Sequence, residues 1–220
     1  MFHSRCYSNS MNKRESIKII TSQGTGEIVE KKSRFIANVF PVETVSAADE
    51  KIAEISKKYW DARHNCYAYV IGENGEMTKC SDNGEPSGTA GKPILEVITG
   101  AGITNVLIVV TRYFGGVLLG TGGLVRAYTQ AAQAGLFSAV VGELVYAQKL
   151  TLTVDYSRVN TIRYYLGQKG INIKDSRYAA DVQFDITVRD SDVSLIKEEL
   201  TGKCDGKIKI EDGDEGYFVL

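Results

Sequence analysis

A glycine-rich stretch at residues 111–128, TRYFGGVLLGTGGLVRAY, contains residue types suited to binding an anion. It has five glycines among eighteen residues, between an apolar strand-like run and a helical pattern. The backbone N–H groups of Gly120, Gly122 and Gly123 could hold a phosphate at the helix start, because glycine lets the backbone approach an anion closely. Arg112 and Arg126 flank the turn and could add bidentate contacts to a phosphate or carboxylate.

This stretch matches neither of the common nucleotide-binding motifs. It lacks the Gly-Lys-Ser/Thr of a Walker A loop, and Val125 stands where a dinucleotide fingerprint needs its last glycine or alanine. Two interpretations therefore stay open. The preferred one is that the glycines make tight turns and let the following helix pack closely on a sheet. The other is a ligand loop, in which the arginines bind an anion instead of an internal carbonyl or carboxylate.

A second candidate site is the loop SDNGEPSGTAGKP at residues 81–93. Its turn residues suit an ordinary connection, but long ordered loops in compact domains are often functional. The residues that could do chemistry here are Asp82, Glu85, Ser87, Thr89 and Lys92. A scaffold role and a ligand-binding role both fit this composition.

Nucleophilic catalysis and metal binding have little support in the sequence. His64 and Cys66 are two residues apart on a predicted strand, so their side chains would point outward in parallel instead of meeting. His64 is the one histidine outside the N-terminal stretch, and a metal would need Asp82 and Glu85, which lack ligand spacing. We therefore expect a binding protein with no catalytic residue, metal or cofactor, in which His64 is buried or lines a cleft.

The composition is that of an ordinary globular protein. The chain has 220 residues, 43% of them hydrophobic, and a formal net charge of −1, so its overall charge does not indicate nucleic-acid binding. No apolar run of membrane-spanning length and no signal peptide is recognisable. The four cysteines form no Cys-x-x-Cys pair, which indicates reduced thiols and predicts a cytoplasmic protein.

The pattern of elements predicts an α+β protein of two domains. A disordered extension at 1–20, with its true start at Met1 or Met11, precedes a first domain at 21–142. In that domain, helical patterns near 46–60, 94–100 and 122–139 alternate with strands at TGEIVEKKSRFIANVFPV, CYAYVI and NVLIVVTRYF. We expect the helices to form one layer on the sheet.

The second domain, at 145–220, is indicated by an internal repeat. The segment VDYSRVNTIRYYL at 154–166 recurs as VRDSDVSLIKEEL at 188–200, an offset of 34 residues. Ser157 and Ser191 stand where helix N-caps belong, and each copy follows an alternating strand. The repeat predicts a βαββαβ sandwich of the ferredoxin-like kind.

The sequence resembles the YigZ/IMPACT family in four segments: KSRFIANVFPV, ARHNCYAYVI, SDNGEPSGTAGKPI and NVLIVVTRYFGGVLLGTGGLVRAY. The resemblance spans about 24–140, and the remainder is similar to the small C-terminal domain of the bacterial members. It implies a first domain like the second domain of ribosomal small-subunit protein S five. It also implies a second domain like a ferredoxin-like domain of elongation factor G.

The resemblance further implies a role in translation or its regulation. Eukaryotic relatives are linked to translational control through a protein of the general amino-acid control pathway, but they carry an N-terminal module that this sequence lacks. No catalytic residue carries over. The residues expected to line one cleft, from the motifs and the 81–93 loop, are His64, Asp82, Glu85, Ser87, Thr89, Arg112, Tyr113, Gly115, Gly116, Gly120, Gly122, Gly123 and Arg126.

The leading hypothesis is a cytoplasmic binding protein that engages the ribosome, RNA or a translation-linked protein through this cleft, without a membrane partner. The alternative is an enzyme or sensor for a phosphorylated or carboxylated small molecule. In the alternative, the glycine-rich turn holds the anion.

Overall fold

The structure is a computed structural model that describes residues 16–220. It contains two compact units, an N-terminal unit at Ile17–Glu143 and a C-terminal unit at Leu144–Leu220. Strands and helices occur in both units, which confirms the predicted α+β class. Most of the predicted disordered extension lies outside the described residues, and β1 (Ile17–Ser22) begins within the remainder of it. No helix within 16–220 is long and apolar enough to cross a membrane.

The N-terminal unit is built on a five-stranded antiparallel sheet with the strand order β2-β3-β7-β4-β5. Its strands are β2 (Gly24–Glu30), β3 (Ser33–Pro41), β4 (His64–Ile71), β5 (Met77–Ser81) and β7 (Val106–Tyr113). A short strand β6 (Ile103–Thr104) pairs in parallel with β1. Strand β5 lies where the sequence indicated only a polar loop, because its side chains are largely exposed and give no apolar alternation.

Helices cover both faces of this sheet, which corrects the expected single layer. They are α1 (Val45–Lys58), α2 (Gly91–Ala101) and α3 (Thr121–Ser138). Alternate residues of β7 face opposite sides of the sheet. Leu107 and Val109 pack in the core under α1, whereas Ile108 and Val110 pack in the core under α2 and α3. Burial on both faces explains why β7 is a continuous apolar run.

The C-terminal unit has the predicted βαββαβ order of elements. They are β8 (Val140–Val154), whose first four residues belong to the N-terminal unit, α4 (Val159–Gln168), β9 (Ile173–Tyr178), β10 (Val182–Arg189), α5 (Val193–Lys203) and β11 (Lys209–Val219). The strands pair antiparallel in the order β11-β8-β10-β9. Alternate side chains of β10, such as Phe184, are buried in one core with apolar residues of the two helices, such as Ile162 of α4 and Ile196 of α5.

The predicted N-caps of the C-terminal unit are wrong. Ser157 and Ser191 lie inside short 3-10 turns, Tyr156–Arg158 and Asp190–Asp192, that precede the two helices. Asp155 accepts the backbone N–H of Ser157 and so caps the first of these turns. The chain therefore tightens into a 3-10 turn before each helix begins.

Candidate functional site

Asp82 organises the loop between β5 and α2. Its Oδ2 accepts a hydrogen bond from the backbone of Gly88 (2.8 Å), and its Oδ1 accepts from Ala90 (3.0 Å) and Gly91 (2.8 Å). Burial alone would raise the pKa of Asp82, but these backbone donors outweigh it and hold the pKa below its ordinary value. Because Ala90 offers no side-chain cap to α2, Asp82 satisfies N–H groups that the helix start would otherwise leave without partners.

Other hydrogen bonds fix the same loop against β4. His64 donates from Nδ1 to the carbonyl oxygen of Asn83 (2.9 Å), and Asn83 accepts the backbone N–H of Asn65 through Oδ1 (2.8 Å). Thr89 is buried and donates to the carbonyl oxygen of Pro86 (2.6 Å). His64 and Thr89 therefore form hydrogen bonds to the backbone of the loop itself, whereas Ser87 is exposed.

A buried ion pair joins the loop to the sheet and to α3. Arg112 Nη1 donates to Glu85 Oε1 at 2.7 Å, and the two side chains are 7% and 4% exposed. Tyr128 donates its hydroxyl to the same oxygen at 2.8 Å. The guanidinium of Arg112 also lies 5.4 Å from the ring centroid of Phe35 and 5.6 Å from that of Phe114. Glu85 thus links β7 to α3 through one carboxylate.

Cys66 completes this buried network and is unsuited to act as a nucleophile. Its thiol donates to the Asp82 carbonyl oxygen (2.9 Å) and lies 3.3 Å from the hydroxyl of Tyr128. Burial raises the pKa of Cys66 to about 12, so its reactive thiolate is scarce at neutral pH. The pKa of Tyr128 is also raised by its burial. Within residues 16–220, no group of three or more metal-ligating side chains is placed to hold a metal ion.

Several glycines of the 111–128 stretch have structural roles. A Cβ on Gly115 would lie 2.0 Å from the carbonyl carbon of Lys32, and the Gly115 N–H donates to Ser33 Oγ at 3.1 Å. Gly116 and Gly120 have positive φ values of 83° and 70°, which favour glycine. Gly115 is therefore packed against the turn between β2 and β3.

The start of α3 is the part of this stretch that stays available to a ligand. Helix α3 begins after Gly120 without a side-chain cap. A Cβ added to Gly122 would have open space around it, with Arg126 Nη1 as its nearest neighbour at 4.0 Å. A Cβ added to Gly123 would instead lie close to the side chain of Leu119. Arg126 is exposed and forms no salt bridge within the described part of the chain. Uncapped N–H groups beside a free guanidinium suit an anion.

Exposed aromatic and basic residues lie on the segments that meet at the end of β7, which are the turn after α1, the β2–β3 turn and the residues that follow β7. Phe114 is 53% exposed and Trp60 is 83% exposed. Tyr113 donates its hydroxyl to Asp61 at 2.7 Å, which holds the end of β7 beside the residues that follow α1. We call this region the aromatic-basic surface and define it by Lys31, Lys32, Lys58, Trp60, Arg63, Tyr113, Phe114 and Arg126. None of its five lysines and arginines forms a salt bridge within 16–220.

Twelve of the thirteen residues predicted from the sequence fall into two groups, and Ser87 lies exposed on the 81–93 loop outside both. The first is the internal network of His64, Asp82, Glu85, Thr89 and Arg112. The second lies around the glycine-rich turn and comprises Tyr113, Gly115, Gly116, Gly120, Gly122, Gly123 and Arg126. The groups meet on β7, where Arg112 of the first group precedes Tyr113 of the second. Sequence reasoning did not find Trp60, although it is the single tryptophan and ends the helical pattern predicted at 46–60.

Comparison with known proteins places the chain in a family. Residues 31–136 match the Impact N-terminal domain, and residues 152–207 match a domain of unknown function, DUF1949. The IMPACT family member YvyE of Bacillus subtilis is 39% identical over 199 residues, which are 90% of this chain and 92% of that protein. The chain belongs to the IMPACT family. This confirms the resemblance seen in the sequence.

Other IMPACT relatives agree with this assignment. The IMPACT family member YigZ of Escherichia coli is 35% identical over 182 residues, 82% of this chain and 89% of that protein. Protein IMPACT of Mus musculus is 38% identical over 99 residues, which are 42% of this chain and 30% of that protein. A crystal structure described as that of a hypothetical protein is 33% identical, with a TM-score of 0.58, and covers 92% of this chain and 99% of that one.

Proposed function

We propose that this IMPACT family member is a cytoplasmic protein that acts in translation by binding single-stranded RNA, including ribosomal RNA, through the aromatic-basic surface. One observation carries the proposal. Exposed aromatic rings, and exposed lysines and arginines that form no salt bridge within residues 16–220, lie on segments that meet at or follow the end of β7. The implied role of the family in translation supports the choice of RNA as the partner.

The chemistry of this surface suits a single strand. Nucleic-acid bases stack on exposed rings such as Trp60 and Phe114, and each stacked base contributes about 1–3 kcal/mol without regard to sequence. The flanking cations bind phosphates and release counterions, so affinity falls with salt. Arg126 and the uncapped start of α3 are suited to one backbone phosphate.

The single tryptophan provides a direct assay. Trp60 is the only tryptophan of the chain and belongs to the proposed surface, so stacking of a base on it should quench its fluorescence. The chain is titrated with an oligouridylate of about ten nucleotides at about 50 mM salt. We expect saturable quenching, and a logarithmic salt slope near −3 if about four cations contact phosphates.

Two variants and a matched control sharpen the assay. Phe114→Ala should weaken binding by about tenfold through loss of one stacked base, and Arg126→Ala should reduce the salt slope by about 0.7. Tyr164→Ala removes a comparably exposed ring from the C-terminal unit and should bind like the wild type. Absence of quenching, or equal binding by all variants, would refute the proposal. Co-sedimentation of the same variants with purified ribosomal subunits tests the link to translation.

A second candidate function is binding of a small phosphorylated or carboxylated molecule at the start of α3. The uncapped helix start and the exposed guanidinium of Arg126, which forms no salt bridge within 16–220, favour it. Thermal-shift assays with phosphate, pyrophosphate and nucleotides distinguish the two functions. A stabilisation that Arg126→Ala abolishes and Phe114→Ala leaves unchanged would favour the small anion over RNA.

A further inference from the structure

The N-terminal unit contains an apolar groove that the RNA proposal does not use. The groove has a volume of about 740 Å³ and lies between α2, α3 and the β1–β6 pair. Its apolar lining residues are Pro93, Val97, Ala101, Ile103, Leu136 and Val141. Its charged lining residues are Lys18 and Glu96, one of each sign. A lining with no net charge offers little to a polyanion, so this groove is not a continuation of the aromatic-basic surface.

A large aromatic side chain stands at the edge of the same groove. Phe137 lines the groove from the last turn of α3, and it is 95% exposed. Val140 and Val141, just beyond the helix, are also exposed. Contiguous exposed apolar residues of this kind mark interaction surfaces in proteins. The surface therefore has both a protruding ring and a cavity able to receive one.

We propose that two copies of this chain associate through this surface about a two-fold axis, with Phe137 of each copy in the groove of the other. A two-fold interface uses the same patch on both subunits, so that patch must be complementary to itself in shape and in charge. The protruding ring of Phe137 and the groove are complementary in shape. Lys18 and Glu96 supply the charge, because rotation about the axis pairs each lysine with the glutamate of the other copy.

The carboxylate of Glu96 is available for such a pair. Within its own chain it lies 3.9 Å from Lys92, and both side chains of that pair are exposed at 71% and 65%. Exposed pairs at this distance contribute little. A neutral small molecule would leave the charges of Lys18 and Glu96 unused, whereas a second copy engages both.

The dimer surface and the RNA surface lie at different ends of α3. Arg126 precedes Phe137 by eleven residues, which corresponds to about 16 Å along the helix axis. A substitution at Phe137 should therefore leave RNA binding unchanged. Failure of the dimer and failure of the proposed function can thus be observed separately, the first by molecular mass and the second by Trp60 fluorescence.

Sedimentation velocity of the full chain tests the dimer. We expect the mass to approach twice the 24.1 kDa of the chain as the concentration rises, up to about 100 μM. Phe137→Glu should remain monomeric with an unchanged thermal melt, since an exposed side chain contributes little to folding. Val29→Glu, a change at another exposed apolar residue of the same unit, should dimerise like the wild type.

A charge exchange makes the test specific for the proposed geometry. Glu96→Lys places like charges opposite each other and should weaken dimerisation by about tenfold. Adding Lys18→Glu to that variant should restore wild-type dimerisation, because the pair is re-formed with its signs reversed. The proposal is overturned by a monomeric wild type at the highest concentration, by a dimeric Phe137→Glu variant, or by a double exchange that restores nothing.

Discussion

Removal of the Glu85 carboxylate should destabilise the N-terminal unit far more than removal of a similar surface carboxylate. Glu85→Ala leaves the guanidinium of Arg112 buried at 7% exposure without the carboxylate that compensates its charge. Arg112 Nε already lacks a hydrogen-bond partner within the described residues, and Tyr128 would lose its acceptor as well. Breaking one side of a buried ion pair costs about 3–5 kcal/mol, and that is the loss we expect in the free energy of unfolding.

The chain contains a matched control with the same chemistry. Arg34 and Glu27 form an ion pair at 2.6 Å, similar to the 2.7 Å of the buried pair, but their side chains are 52% and 41% exposed. Because water and salt screen an exposed pair, Glu27→Ala should cost only about 0–1 kcal/mol. The two variants therefore isolate the effect of burial from the effect of the ion pair itself.

Urea denaturation followed by circular dichroism measures both variants. Hydrogen exchange in β7 peptides assigns the loss to the N-terminal unit, since two units need not unfold in one transition. The double variant Glu85→Leu/Arg112→Met removes both charges and should recover much of the lost stability. A Glu85→Ala cost no larger than that of Glu27→Ala would refute the reasoning, because it would mean that Arg112 reaches water easily.

Four further predictions concern individual residues. Iodoacetamide at about pH 8 should alkylate the exposed Cys80 and spare the buried Cys66 until the protein is unfolded, as read by mass spectrometry. Because its pKa is lowered in the folded protein, the Asp82 carboxylate contributes stability at pH values above its ordinary pKa of 3.8, and this stability is lost on further acidification. Asp82→Asn should therefore lower the free energy of unfolding by about 1–3 kcal/mol at neutral pH and flatten its dependence on acid pH. Gly26→Ala, whose Cβ would lie 2.3 Å from the Gly135 nitrogen, should destabilise by about 1–3 kcal/mol or more. Gly167→Ala, with open space around it in α4, should instead stabilise by about 0.5–1 kcal/mol in the same urea assay.

Local patterns in the sequence predicted most of the elements, and the errors have identifiable physical causes. The continuous apolar run of β7 predicted a buried strand, but it does not show which helices cover each face, so the second helix layer was missed. Strand β11 joins two strand-like segments, KIKI at 207–210 and GYFVL at 216–220, that a charged stretch separates in the sequence. Asp155, two residues before Ser157, took the capping role because its side chain reaches the backbone of the 3-10 turn.

The candidate site was harder to predict because burial depends on contacts between distant residues. Glu85 and Arg112 are 27 positions apart, and Glu85 and Tyr128 are 43 apart. The sequence left open that Arg112 binds an internal carboxylate, but it did not indicate that Glu85 is that partner. Exposed residues such as Trp60 are equally difficult, because an aromatic residue next to a helix usually indicates the core.

The internal network and the proposed RNA surface are joined by the guanidinium of Arg112. It lies 5.4 Å from the ring centroid of Phe35 in the core and 5.6 Å from that of Phe114 on the surface, so it contacts both rings. Arg112→Lys keeps a positive charge opposite Glu85 but removes the planar group that stacks on both rings. We expect this change to loosen Phe114 and to weaken RNA binding by about 0.5–2 kcal/mol, the range of a cation–π contact.

The salt dependence of binding shows whether Arg112 acts in this indirect way. A positioning residue touches no phosphate, so Arg112→Lys should lower affinity equally at all salt concentrations and leave the logarithmic slope unchanged. Arg126→Ala, at a proposed phosphate contact, should reduce the slope by about 0.7. In the combination of Arg112→Lys with Phe114→Ala, the arginine change should have almost no further effect, because the ring that it positions is gone. An additional loss in that double variant, or a reduced slope in Arg112→Lys alone, would show that Arg112 itself contacts the RNA.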